Sequence, residues 1–222
     1  MDSEYSKKFG DIFWSVDGYY EIYKGGKEED LSLIENIELK EKKILADIGG
    51  GNGYFSNYIK EKYKFKKVYN IEINPSLSET SQKKYKDIDT INENILNLEL
   101  EEKVDVILFF NSFFYLTDNH YEKLFYKLKK LLKDDGVILI NKHYSSKKEE
   151  YPFYKTLKMK LFNIKKYFFS ENFNFLTAVN FLFSDFDSNY ERSENKLISS
   201  IKTNKFSFHY NDDNKFFTIK NS

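Results

Sequence analysis

The sequence predicts an α/β fold built on a mostly parallel sheet, and three observations lead there. Short apolar runs recur at Lys43–Ile48, Lys67–Ile73, Asp89–Glu93, Lys103–Phe110 and Val137–Asn141. Segments with helical spacing lie between them. The runs are apolar without the in–out alternation of a sheet with one wet face. Strands separated by helices pair in parallel through crossover connections, and a sheet covered on both faces needs strands that are apolar on both sides.

Each helix has its own signal. Gly53–Tyr63 places Phe55, Tyr58 and Ile59 on one face, and Ser76–Tyr85 follows Pro75, which suits helix entry. Tyr121–Leu132 repeats Leu124, Phe125, Leu128, Leu131 and Leu132 at the spacing of one buried stripe. Asp134-Asp135-Gly136 is predicted to close that helix and turn into the next strand. Residues 145–192 change character: they are crowded with aromatics and predicted largely helical, an insert between the fifth and sixth strands. Ser193–Asn204 reads as a capped helix with Leu197, Ile198 and Ile201 inward. Lys205–Tyr210 and Lys215–Lys220 alternate around Asn211-Asp212-Asp213-Asn214, a terminal hairpin.

Composition narrows the class. The 222 residues are expected to form a single domain over 1–222, and 41% hydrophobic residues with 18% aromatics suffice for a core. Lys+Arg and Asp+Glu balance at 35 each, which removes charge-driven disorder and argues against a generally basic nucleic-acid binder. The absence of cysteine removes disulfides, thiolate metal sites and a cysteine nucleophile. His120, His143 and His209 are too scattered for a ligand cluster, so no metal is expected. Met1–Lys8 is charged, without the apolar core of a signal peptide, and no run approaches the ~20 apolar residues of a membrane span. A cytoplasmic protein without membrane attachment is expected.

The informative stretch is Ile44-Leu45-Ala46-Asp47-Ile48-Gly49-Gly50-Gly51-Asn52-Gly53-Tyr54-Phe55. A buried strand carries an acidic residue near its end, runs into glycines and opens a helix. Glycines at such a turn permit positive φ and let a ligand approach backbone with no Cβ in the way. In open α/β sheets, ligands bind at this carboxyl edge. The next strand, Val68-Tyr69-Asn70-Ile71-Glu72-Ile73-Asn74, also ends in a carboxylate, which can accept two hydrogen bonds from a ribose diol. A dinucleotide site wants a third glycine where this chain has Ser56, and Asp47 would set negative charge near phosphates. No Gly-Lys-Ser/Thr follows, so a P-loop is excluded. A carboxylate suits a cationic amino or sulfonium group better.

On these residues the chain resembles the class I S-adenosylmethionine-dependent methyltransferases, well over 44–144 and more loosely beyond. Asp47-Ile48-Gly49-Gly50-Gly51-Asn52-Gly53 is similar to that family's D-x-G-x-G-x-G signature. The resemblance implies a Rossmann-like seven-stranded sheet of order 3-2-1-4-5-7-6, with helices on both faces and the last strand antiparallel. It implies S-adenosyl-L-methionine as cofactor and S-adenosyl-L-homocysteine as product. Asp47, Gly49, Gly50, Gly51, Gly53, Glu72 and Ile73 would then line the cofactor, with Glu72 on the ribose. Asn94 and Ile95 would face adenine, Asn94 departing from the family's acidic residue although its amide oxygen can accept the same bond. Asn111 and Ser112, ending the fourth strand, would border the methyl group. Residues 1–40 would supply a helical lid, with Tyr19 and Tyr20 as substrate-side contacts, and 145–192 a substrate cap or homodimer face.

Methyl transfer from a sulfonium is an in-line displacement, so holding the nucleophile ~3 Å from the methyl on the right axis supplies most of the acceleration. A general base matters only if the nucleophile arrives protonated. His143 after the fifth strand is the candidate base, Tyr115 the candidate orienter, and His209 a further substrate-side candidate. The acceptor predicted is a small molecule methylated at O or N. Asn111-Ser112-Phe113-Phe114 lacks both prolines of the sites that methylate planar amino groups of bases and amides. Lys155, Lys158, Lys160, Lys165 and Lys166 keep an RNA or protein acceptor open, and a non-catalytic cofactor-binding partner protein is the third alternative.

Overall fold

The computed structural model describes residues 34, 39, 42–113, 116, 118–141, 157, 160–161, 164–165, 168, 174–183, 193–211 and 216–221. In chain order the elements are β1 (Ile44–Ile48), α1 (Tyr54–Tyr63), β2 (Lys67–Ile71), α2 (Pro75–Lys84), β3 (Asp89–Ile91), β4 (Val104–Phe109), α3 (Tyr121–Leu131), β5 (Leu132–Asn141), α4 (Phe175–Phe183), α5 (Glu194–Thr203), β6 (Phe206–Asn211) and β7 (Phe216–Asn221). The strands make one seven-stranded sheet of order β3-β2-β1-β4-β5-β7-β6. The first five run parallel, while β7 joins β5 and β6 antiparallel. This is the order that the resemblance implied.

Every residue of β1 and β4 is buried, as a central strand covered on both faces requires. Successive residues feed opposite sides of the sheet. Ala46, Ile107 and Ile138 pack with Phe125 and Leu128 of α3 and with Leu197 and Ile201 of α5. Leu45, Val106, Leu108 and Leu139 pack with Phe55 and Ile59 of α1, joined by Ile34 and Leu39. The stripe of α3 buries Tyr121, Leu124, Phe125, Leu128 and Leu131. Each such side chain contributes roughly 1.5–3 kcal/mol, so α3 is held by its buried face more than by helix propensity.

The elements follow the sequence within a residue or two, with one instructive departure. Asp134-Asp135-Gly136 does not connect helix to strand. Leu132 already pairs with Val104, and the register shifts before Val137 pairs with Val106, so the three residues bulge from within β5. Leu132 is fully buried and draws the chain onto the core before the acidic pair swings out. Outside, Asp135 meets the Lys42 amine at 2.7 Å. A Cβ on Gly136 would lie 2.5 Å from Leu132 Cγ, so the bulge leaves no room for a side chain there.

In the aromatic insert, Phe175–Phe183 is helical as expected, and Leu161, Phe168, Phe175 and Leu176 are exposed. Of the five lysines of the basic stretch, Lys160 is buried, and its amine donates to the Leu182 carbonyl at 3.3 Å. The rest of the expected lid at 1–40 and of the insert at 145–192 lies outside the described residues, including Lys155, Lys158 and Lys166. No helix among the described residues is long and apolar enough to cross a membrane.

Candidate cofactor site

The carboxyl ends of β1, β2, β4 and β5 carry a concentration of buried polar residues: Asp47, Asn70, Glu72, Asn74, Ser112 and Asn141. Around them the sheet is apolar, so each must be explained by a partner or by a task.

The loop after β1 takes its path from glycines. Gly49, Gly51 and Gly53 have φ of 74, 62 and 77 degrees, the left-handed region where a Cβ is strained. Gly53 caps α1 in that conformation. The loop is tied down by Gly49 N–H donating to Ile71 O at 2.7 Å and Gly51 N–H donating to the Glu72 carboxylate at 3.0 Å.

Sequence reasoning assigned the missing Cβ atoms to ligand approach. At three positions the space is taken by the protein itself. A Cβ on Gly50 would stand 2.2 Å from Asn70 Oδ1 and 2.7 Å from Asp47 Oδ2. On Gly53 it would stand 2.2 Å from Ser81 Oγ, and on Gly49 2.5 Å from Ser112 Cβ. The glycines let the loop settle onto side chains beneath it.

Those side chains form a buried polar network that sequence reasoning missed. The Ser56 hydroxyl donates to Asp47 at 2.7 Å and lies 3.3 Å from Asn70 Oδ1. The Asn70 amide donates to Gly51 O at 3.2 Å and to Ser81 Oγ at 2.9 Å, and Ser81 meets Thr90 at 2.7 Å. Ser56, Asn70 and Ser81 are wholly buried. The only signal in the sequence was polar residues inside apolar elements. Ser56, read as a missing third glycine, is a partner of Asp47.

Glu72 follows β2 and is 7% exposed. Its two oxygens accept separately, Oε2 from Gly51 N–H at 3.0 Å and Oε1 from Asn74 N–H at 2.8 Å. Burial pushes its carboxyl above the ordinary carboxylate range, backbone N–H groups of Asn74, Gly51 and Ile73 pull against that, and the Asp47 charge adds to the rise. Two carboxyl groups on neighbouring strands thus lie against the loop, Asp47 accepting from the Ser56 hydroxyl and Glu72 from two backbone N–H groups. Ile73 beside it is half-buried, and Asn74 caps α2 by accepting from Leu77 N–H at 3.2 Å.

Asn94 lies in the turn after β3, where its Oδ1 accepts from Leu96 N–H at 3.0 Å and its own N–H donates to Glu93 at 2.6 Å. One lone pair of that amide oxygen is therefore in use. The Ile95 side chain is in the core, so a ligand would meet it through its backbone. Beyond β4, Asn111 has φ of 56 degrees and donates its N–H to Asn141 Oδ1 at 2.7 Å. The Ser112 hydroxyl donates to Ile48 O, joining the ends of β4 and β1.

One further candidate is not brought here. His209 is exposed on β6, the sheet edge four strands from β1, about 19 Å away at ordinary strand spacing. Tyr19, Tyr20, Tyr115 and His143 lie outside the described residues. Among the described residues no three His, Asp or Glu side chains gather to hold a metal ion.

A family model described as a methyltransferase domain matches residues 45–136, from β1 into β5. The ribosomal RNA small subunit methyltransferase A of Mesomycoplasma hyopneumoniae is 36% identical over 110 residues, 49% of this chain and 40% of that protein. The chain thus spans well under half the length of that relative. The phosphoethanolamine N-methyltransferase of Plasmodium falciparum is 27% identical over 189 residues, 81% of this chain and 69% of that protein. Among solved structures, a TehB-like SAM-dependent methyltransferase from Corynebacterium glutamicum superposes with a TM-score of 0.56 at 11% identity, covering 93% of this chain and 97% of the other. That likeness concerns the fold, and it agrees with the sheet order. Residues 45–136 are thus similar to a methyltransferase domain, and the seven-stranded order agrees with the fold of solved methyltransferases.

Proposed function

We propose that the protein transfers a methyl group from S-adenosyl-L-methionine to an oxygen or nitrogen of a small molecule. The observation that carries the cofactor half is the pair of buried carboxylates, Asp47 and Glu72, against one glycine loop. A cationic nucleoside fits that negative edge, whereas the pyrophosphate of a dinucleotide would be repelled. When bound, the cofactor supplies a methyl already activated on a sulfonium.

The chain's own part is binding and orientation. Glu72 accepts the ribose hydroxyls, while the backbone of Gly49, Gly50, Gly51 and Gly53 lines the path beside them. Asn94 and the Ile95 backbone meet adenine, Asp47 keeps the edge negative, and Asn111 and Ser112 border the methyl. His143 takes a proton where the acceptor arrives protonated, Tyr115 orients it, and Tyr19 and Tyr20 close over it.

The acceptor half rests on the turn after β4. Phe113, standing where the base- and amide-methylating pattern has its second proline, is 1% exposed and stacks on Tyr121 with centroids 5.5 Å apart. It serves the core and does not shape a slot for a planar amino group. The ribosomal RNA relative favours a second reading, an RNA acceptor. Incubating the protein with methyl-labelled cofactor and a cell extract separates them. Protein-dependent label in the small-molecule fraction supports the proposal, label in RNA or protein refutes its acceptor half, and no label points to a non-catalytic binder. His143→Ala is expected to keep cofactor binding and slow turnover.

A further inference from the structure

We propose that Asn141, the last residue of β5, is the positioning residue that sets the turn after β4 and through it the loop after β1. The proposal deepens the cofactor reading above and rests on it for its functional consequence.

The two strand ends are brought together by register: Phe109 pairs with Ile140, so the residues just beyond them meet. Asn111 leaves β4 with φ of 56 degrees, and it is one of three non-glycine residues in that region among those described. An L-residue does not hold this conformation without help, and asparagine only tolerates it better than most. Part of that help is the hydrogen bond from Asn111 N–H to Asn141 Oδ1 at 2.7 Å, across 30 residues of sequence.

Asn141 is a costly choice for that task. It is 1% exposed at the end of Val137-Ile138-Leu139-Ile140, and its Nδ2 is buried with no hydrogen-bond partner among the described residues. Leucine has nearly the same shape and leaves no donor stranded. An amide kept in such a place has its oxygen as its use, and that oxygen holds Asn111. The next residue passes the constraint on: the Ser112 hydroxyl donates to Ile48 O, and Ser112 Cβ lies where a Cβ on Gly49 would fall, 2.5 Å away. A run of contacts therefore leads from β5 through the β4 turn to the glycine loop.

The test is Asn141→Leu, alone and combined with N111G, since glycine takes positive φ unaided. Three quantities are read: exchange of the Asn111 amide proton without ligand, the thermal midpoint, and calorimetric affinity for S-adenosylhomocysteine. Asn141→Leu is expected to speed Asn111 exchange and weaken affinity about tenfold, one hydrogen bond's worth, while the midpoint holds or rises. In the N111G background the same change should cost less than about twofold, because the restraint has nothing left to restrain. Unaltered Asn111 exchange overturns the proposal. So does an equal affinity loss in both backgrounds, or a loss that merely tracks a falling midpoint. Wild-type protein that does not bind S-adenosylhomocysteine overturns the cofactor reading instead, and the exchange measurement still decides the restraint.

Discussion

Replacing Glu72 by glutamine separates what the fold wants from what the ligand wants. The carboxylate is buried, near Asp47, and its oxygens accept from Gly51 N–H at 3.0 Å and Asn74 N–H at 2.8 Å. Its pKa is raised in the fold chiefly by burial, so the folded state holds the proton more tightly than the unfolded chain does. Stability from this group is therefore greatest below the unfolded value of about 4.3 and declines as pH rises through the higher folded pKa. Above the folded pKa the charge is a burden on the ligand-free protein. Glutamine removes that burden, although its NH2 leaves one backbone N–H without an acceptor at about 1–3 kcal/mol. The two effects oppose, and the ligand-free variant should stay folded with a flatter pH dependence above the unfolded carboxyl value.

Ligand binding should respond differently. A ribose diol loses its charged acceptor, about 1.5–3 kcal/mol, or roughly 10- to 150-fold in affinity for S-adenosylhomocysteine. Calorimetric titration at several pH values reads this directly. Wild-type affinity should fall on acidification through the folded pKa as the carboxyl takes up its proton, and Glu72→Gln should lack that dependence. Unchanged affinity in a folded variant would refute the ribose assignment, and Glu72→Ala should lose binding by at least as much.

Three further outcomes follow from the same geometry. Gly53→Ala combines a φ of 77 degrees with a Cβ 2.2 Å from Ser81 Oγ, so it should destabilise by about 2–4 kcal/mol and lower the thermal midpoint by roughly 5–15 °C in a calorimetric scan. Asn70→Ala removes donors to Gly51 O and Ser81 Oγ; unfolding in urea should register a loss of about 2–4 kcal/mol, and S-adenosylhomocysteine should bind more weakly. Burial lifts the Asp105 carboxyl, but the Lys133 amine and the N–H groups of Ile44 and Lys43 outweigh it and hold the pKa below the ordinary value. The stability it lends is present above the unfolded pKa of about 3.9 and is lost as pH falls through the lower folded one, so Asp105→Asn should flatten the acid limb of an unfolding curve and lower stability at pH 7.

What could be read from the sequence was what is contiguous. Asp47 and the glycines stand in one run, Glu72 ends the next apolar run, and the apolar strands announce a doubly covered sheet. Asn70, Ser56, Ser81 and Thr90 form one network across 34 residues and four elements, and no local spacing connects them. Asn141 escaped for the same reason, since its partner is 30 residues away. Asp134-Asp135-Gly136 misled because an acidic pair before glycine has the composition of a turn. Burial of Leu132 and its pairing with Val104 made it a bulge within a strand, and tertiary packing decided that. The glycines were read correctly as demanding positive φ, but what fills the space beside Gly50 and Gly53 depends on β2 and α2 and could not be seen from the loop.

The central claim is that the edge formed by Asp47, the glycine loop and Glu72 takes a cationic adenosine cofactor. Titrating the purified protein with S-adenosylhomocysteine, with NAD⁺ and NADH alongside, tests it most directly. The account predicts micromolar binding of the thioether, none of the nicotinamide cofactors, and loss of the signal in Asp47→Ala. Binding of NAD⁺ or NADH in place of S-adenosylhomocysteine would contradict it.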